Sequence, residues 1–349
     1  MIGPVTNVEA NLIGGATISF GYLIDYMEKN NRAYTLVTTQ YFSNRLKKVL
    51  NPLYVLGKVL VSLFKTDVFF LNSSRGGIKY LGPLLFIIAK IFRKKLVVRP
   101  FGGDLNEYAE KFTPIQKWLF KKTTLQADLL FLQTKKLMRF YASANKNIHQ
   151  LPTSRDTPDI PIRVSPYQKR FVFLGFVNQS KGIDHLLAAA KELGSTYTIH
   201  IYGPIRENYE DAAKKGYIQK FEEQANIYQG ILAKEQVLST LQTYDVLVLP
   251  TYYRGEGYPG VIMEAYSLGL PVITTKWKAI PEIVIDGKTG VLIEPKSTNA
   301  LVQAMLLFNE NNYTDFSKNA KQYFDTSFST QKVTSKAFTQ IQSLFVTTF

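Results

Sequence analysis

One strand, loop, helix and strand unit constrains this chain more than any other stretch. Residues 246–249 (VLVL) carry no polar side chain, the pattern of a strand buried on both faces of a parallel sheet. Pro250 closes that run. Residues 261–267 suit a helix until Gly269 and Pro271 stop it, and residues 272–275 (VITT) make the next strand. Parallel neighbours need such a crossover, because a tight turn cannot return the chain to the same end of a sheet. Pro259 stands where the helix begins, and its fixed φ suits the first helical position. The turn before it, with Arg254, Gly255, Glu256 and Gly257, therefore lies at the carboxyl end of a strand, where open α/β sheets bind ligands.

Glu256 and Glu264 frame this turn, with seven residues between them. The backbone amides of Gly257, Gly260 and Val261 point outward at the helix N-terminus, a ready anion site. An ionised carboxylate accepts one hydroxyl proton on each oxygen, so it can hold a vicinal diol such as that of a ribose. Amides for phosphate and carboxylates for hydroxyls suggest a nucleotide-sugar ligand. Taken alone, the pair reads more simply as a solvated helix residue and a loop charge.

The flanking residues change that balance. The segments YDVLVLPTYY, EGYPGVIMEA, GLPVITT and IPEIVIDGKTGVLI resemble the signature of the retaining GT-B glycosyltransferases of family four, which carry a Glu-x7-Glu element in this setting. The resemblance is strong over residues 170–295 and loose over residues 1–150. It implies an α/β chain of GT-B type, two Rossmann-like domains facing each other across a cleft. It also implies that Glu264 holds the ribose diol and that Glu256 meets a donor-sugar hydroxyl near the reacting centre. Lys181, followed by Gly182, resembles the family's phosphate-contacting Lys-Gly pair. With the amides of Gly257, Tyr258, Gly260 and Val261 it would take the charge developing on the departing diphosphate. A lysine at a helix N-terminus opposes the helix dipole, so an anion there would account for it; a solvated lysine is the plainer alternative.

Other positions carry less. Gly14 and Gly15 match a glycine pair that the family places between the domains, near donor phosphate and acceptor, and read equally as a loop turn. Gly230 follows a strand expected at residues 227–229, where backbone groups can read a nucleotide base. At two places the chain departs from the pattern. Relatives usually carry an Arg directly after the glycine matched by Gly175, where this chain has Phe176, and many carry a His in the loop where Phe101 stands. Arg254 and Arg206 are candidate substitutes for the missing cation. Asp104 is the polar group left near Phe101, and it reads equally as an acceptor-binding residue, an Asx turn or a helix cap. No Asp-x-Asp element is present to hold a divalent metal. The expectation is a metal-independent enzyme with no cofactor beyond a donor, a UDP- or GDP-sugar.

A chain of 349 residues is too long for one ordinary core. Residues 151–166 hold Pro152, Pro158, Pro161 and Pro166 without periodicity, the mark of a linker. We expect an acceptor-side domain over residues 1–160 and a donor-binding domain over residues 161–329. The resemblance implies that a last helix at about 330–349 packs back on the first domain. The absence of cysteine excludes disulfides, thiolate zinc sites and a cysteine nucleophile, and fits a cytoplasmic protein. The first residues, MIGPVTNVEANLIGG, lack the basic and apolar regions of a signal peptide, and no uncharged apolar run reaches the about 18 residues of a membrane span. Only four residues follow Met1 before the first turn, so the first strand is short or the natural start lies upstream.

Charge is divided unevenly. Residues 1–165 hold 24 Lys and Arg against 10 Asp and Glu, and residues 166–349 hold 18 against 17. The excess faces an anionic partner. Residues 45–65 interleave Arg45, Lys47, Lys48, Lys58 and Lys65 with leucines, valines and Phe64, as in helices that lie on anionic bilayers; the alternative is a helix pair packed on the sheet. Lys90–Lys95 and Lys121 with Lys122 add to the same half. No helix-turn-helix, zinc or RNP-like pattern argues for nucleic acid.

The reading is a retaining glycosyltransferase acting on a glycan or lipid-linked acceptor in surface polysaccharide assembly. It would be peripheral on the cytoplasmic face of the membrane. Two others stay open: a nucleotide-sugar-binding protein that has lost turnover, and a membrane- or polyanion-binding module. A nucleotide-sugar epimerase shares the fold and is a minor alternative.

Overall fold

The computed structural model describes residues 1–5, 15–39, 50–160, 166–205, 211–224 and 226–345. Arg45, Lys47, Lys48, Gly14 and Arg206 lie outside them. Along the chain the elements are β1 (Ile2–Gly3), α1 (Gly15–Lys29), β2 (Val37–Thr38), α2 (Asn51–Ser62), β3 (Val68–Ser73), α3 (Arg75–Ile91), β4 (Lys95–Pro100), α4 (Leu105–Glu110), α5 (Pro114–Lys122), β5 (Leu129–Leu132), α6 (Lys135–Tyr141) and β6 (Ile148–Gln150). There follow β7 (Arg170–Leu174), α7 (Ile183–Leu193), β8 (Thr198–Tyr202), α8 (Asp211–Glu223), α9 (Val237–Leu241), β9 (Val246–Leu249), α10 (Gly260–Ser267), β10 (Val272–Thr275), β11 (Gly290–Ile293), α11 (Thr298–Leu307), α12 (Glu310–Ser327) and α13 (Thr330–Gln342). They form two compact units, Met1–Ser154 with Thr330–Phe349, and Arg155–Ser329.

The first unit is a six-stranded parallel sheet in the order β2-β1-β3-β4-β5-β6. Its apolar strands are buried on both faces, and the period of two sorts their side chains. Phe69, Leu71, Leu96, Val98, Leu130 and Leu132 join one core with α2, α3, α5 and α6, through residues such as Val55, Leu85, Phe120 and Leu137. Phe70, Val97, Leu129 and Phe131 join the opposite core with α1 and α13. There Tyr26 stacks on Phe338 with ring centroids 4.8 Å apart. Arg99 is buried at the end of β4, and its guanidinium donates to the Ser19 hydroxyl (2.8 Å), the Ser19 carbonyl (3.4 Å) and Asn72 Oδ1 (3.3 Å), tying α1 to β3 and β4. Burial lowers its pKa to about 9.

The second unit is a five-stranded parallel sheet in the order β11-β10-β9-β7-β8. The strand expected at residues 227–229 is a single bridge, Ile201↔Tyr228, beside β8. The helix after β9 begins at Gly260, with Pro259 at its cap rather than its first position. Strands β6 and β11 have no counterpart in the sequence reading.

Candidate active site

In the second sheet the chain runs from β7 to β8 on one side and then to β9 on the other. The loops after β7 and β9 therefore leave from adjacent strands at the switch point, where doubly wound sheets bind ligands. The two loops are bonded together. Tyr252 N–H donates to the Ser180 carbonyl (2.8 Å), as does the Thr251 hydroxyl (3.4 Å). Gly182 has φ +78°, and a Cβ on it would lie 2.9 Å from the Pro250 carbonyl carbon, so only glycine lets these backbones touch.

Asn178 caps the 3-10 turn Gln179–Lys181 by accepting the Lys181 N–H at 3.1 Å, which fixes the backbone from which Lys181 projects. The ammonium of Lys181 pairs with the carboxylate of Glu256. Both side chains are mostly buried, and the Thr251 hydroxyl donates to the same Glu256 oxygen at 2.9 Å. Lys181 Nζ also lies 5.0 Å from the centre of the Tyr253 ring. The loop is held from outside by Trp277 Nε1, which donates to the Tyr253 carbonyl (2.7 Å), and by the Tyr258 hydroxyl, which donates to Glu282 (2.6 Å).

Glu264 stands one turn into α10 and accepts from Arg155 Nε at 2.7 Å. Arg155 was not legible as a site residue. It lies 109 positions away in the proline-rich stretch, on no periodic pattern. Its guanidinium fits against the first turn of α10 because residue 260 is glycine: a Cβ there would lie 2.8 Å from Arg155 Cζ. Two carboxylates with a cation each thus flank one helix N-terminus. Buried ion pairs stabilise little once desolvation is counted, so two of them at a sheet switch point make this helix N-terminus the candidate site.

The remaining sequence candidates are placed as follows. Gly257 and Tyr258 are buried and Val261 half-buried at the start of α10. Gly230, with φ +82°, accepts the Gly203 N–H (2.8 Å) beyond the carboxyl end of β8. Arg254 is exposed on the loop, and Phe176 is 40% exposed after β7. Gly15 and Asp104 belong to the first unit. Gly15 opens α1 with Phe101 3.2 Å from where its Cβ would be, and Asp104 sits at the cap of α4 without a side-chain capping bond. Among the described residues no group of three or more His, Asp or Glu is placed to hold a metal ion.

Residues 160–323 match the family model of glycosyl transferases group 1. The second unit belongs to that family. Over 306 residues the chain is 22% identical to WcaL of Escherichia coli K12, assigned as a colanic acid biosynthesis glycosyltransferase, covering 80% of this chain and 71% of that one. Over 135 residues it is 30% identical to an uncharacterised 41.2 kDa protein of the cps region of Klebsiella pneumoniae, covering 38% of this chain and 35% of that one. The chain thus spans about a third of the length of that relative. Among solved structures, HepE of Anabaena in complex with UDP superimposes with a TM-score of 0.74 at 15% identity, over 98% of each chain. That likeness identifies the fold as GT-B, with two Rossmann-like domains. Lys181, Glu256 and Glu264 lie inside the glycosyltransferase match; Arg155 lies just before it.

Proposed function

We propose that the chain is a retaining glycosyltransferase that moves a sugar from a nucleotide-diphosphate sugar to a hydroxyl of a glycan or lipid-linked acceptor in surface polysaccharide assembly. The observation that carries this reading is the pairing of Lys181 with Glu256 and of Arg155 with Glu264 at the N-terminus of α10, within a group 1 glycosyltransferase domain. The relatives' connection to colanic acid and to a cps region supports the polysaccharide setting, and the Glu-x7-Glu spacing supports retention. Glu264 takes the ribose diol and Glu256 a hydroxyl of the transferred sugar. Lys181 and the amides of Gly257–Val261 meet the diphosphate as the bond to the sugar breaks and negative charge gathers on the leaving oxygen. Fixed donors aimed at developing charge are the largest single contribution available to such a site.

Thermal shift against UDP-, GDP- and ADP-sugars tests the donor site, since a ligand bound only to the folded state raises the melting temperature by mass action. A shift with one base that vanishes in Glu264→Ala is expected; no shift with any nucleotide overturns the assignment. The anomeric configuration of the product, read by NMR, tests retention.

The exposed Phe176, standing where relatives have an arginine, favours a second reading, a nucleotide-sugar binder without turnover. A donor-hydrolysis assay separates the two, because such a binder releases no sugar.

Membrane attachment is supported by α2 and the 3-10 turn after it, Leu63–Lys65. Val55, Val59 and Leu63 face the core, while Leu53, Leu60, Val61 and Phe64 face out beside Lys58 and Lys65. No helix among the described residues is long and apolar enough to cross a membrane.

A further inference from the structure

We infer that Arg155 is a donor-positioning residue: its guanidinium bonds one lone pair of a Glu264 oxygen and so sets the carboxylate with its remaining lone pairs, on both oxygens, presented to the ribose diol. The inference rests on the donor-site reading above. A glutamate near a helix start turns about three side-chain bonds, and reading two hydroxyls requires one setting of its carboxylate. Among the described residues the Glu264 carboxylate accepts only the Arg155 Nε–H, at 2.7 Å. That bond is charge-assisted, and the donor is itself anchored, since the Arg155 N–H donates to the Phe328 carbonyl (3.1 Å) and the residue bridges to Ser329.

The placement is otherwise unfavourable. A cation beside a helix N-terminus is repelled by the dipole, and a mostly buried guanidinium gives up its hydration. Glu264 offsets both. Gly260 is part of the same device. Its φ is not left-handed, so its backbone does not require glycine, but any Cβ would overlap the guanidinium. Arginine at 155, glycine at 260 and glutamate at 264 are thus one steric and ionic set.

The test is calorimetric binding of UDP and GDP, each compared with its 2′-deoxy analogue. The proteins are the full chain and its Arg155→Gln, Arg155→Lys and Gly260→Ala variants, with melting temperature as the check on folding. Gly260→Ala keeps both charged residues and moves only the guanidinium. In the parent chain the ribonucleotide should be preferred about tenfold, the worth of a hydrogen bond to a charged group. Arg155→Gln and Gly260→Ala should weaken the ribonucleotide by about that factor while leaving the 2′-deoxy analogue within about twofold, so that the preference collapses. Arg155→Lys should recover part of it. Equal weakening of both ligands, as a phosphate contact or a damaged fold would give, overturns the proposal, and so does an unchanged preference. A parent chain that binds no nucleotide overturns the donor site itself, and Arg155 with it.

Discussion

At the scale of single residues, the Lys181–Glu256 pair separates stability from activity. Glu256→Ala leaves an ammonium mostly buried without its carboxylate and should cost about 3–5 kcal/mol in chemical denaturation. The double variant Lys181→Met, Glu256→Leu should recover most of that stability, while transfer stays at least about a hundredfold down for want of charge stabilisation. Recovery of transfer along with stability would remove the pair from the chemistry. Gly182→Ala should destabilise by about 1–3 kcal/mol, because a left-handed residue packed on Pro250 has nowhere to relax. The two carboxylates and Lys181 were singled out in the sequence through the family resemblance, which rests on short contiguous motifs around each of them. Arg155 was not, since neither its linker nor its neighbours carry a pattern. One signal did exist: Phe176 leaves a cation missing, and a glycine at the start of α10 leaves space for one.

At the scale of elements, α2 is apolar on two sides, and among the described residues only one of them is covered. Val61 is 82% exposed and Phe64 88%, so Val61→Ser with Phe64→Ser should leave stability within about 0.5 kcal/mol. The same pair should reduce sedimentation with anionic liposomes, and rising salt should reduce it further by screening Lys58 and Lys65. Sedimentation unchanged by both would sink the membrane role. Strands with all-apolar runs, such as Leu129–Leu132 and Val246–Leu249, were readable because burial on both faces leaves no polar residue. The edge strands β6 and β11 are only partly buried, and IHQ and GVLI carry too little pattern to tell from loop. The opposite error at residues 227–229 has the same root: three residues beside an edge strand make one bridge and stop.

At the scale of the whole molecule, each unit carries a titrating weakness. Burial, and for His149 the charge of Lys336 on α13, holds the imidazoles of His149 and His200 below their usual pKa. The unfolded chain therefore takes up more protons than the folded one as pH falls through about 6.5, and stability drops over that window and below it. Melting temperature should fall between about pH 7.5 and about pH 5.5, and replacing both histidines with glutamine should flatten that slope. The return of α13 has an energetic test as well: Phe338→Ala removes the ring stacked on Tyr26 and should cost about 3–5 kcal/mol. The parallel sheets and their helices were legible from strand and crossover lengths; the packing of the last helix on the first unit followed only from the family resemblance, because its Thr- and Gln-rich sequence names no acceptor face. The hydrogen bond from Arg155 to Phe328 also means that the second unit enters and leaves through neighbouring residues. Topologically it is a cassette: a single continuous exchange of residues 155–329 transplants Arg155, Lys181, Glu256 and Glu264 together, so one recombination event replaces the whole proposed donor site without cutting the sheet of the first unit.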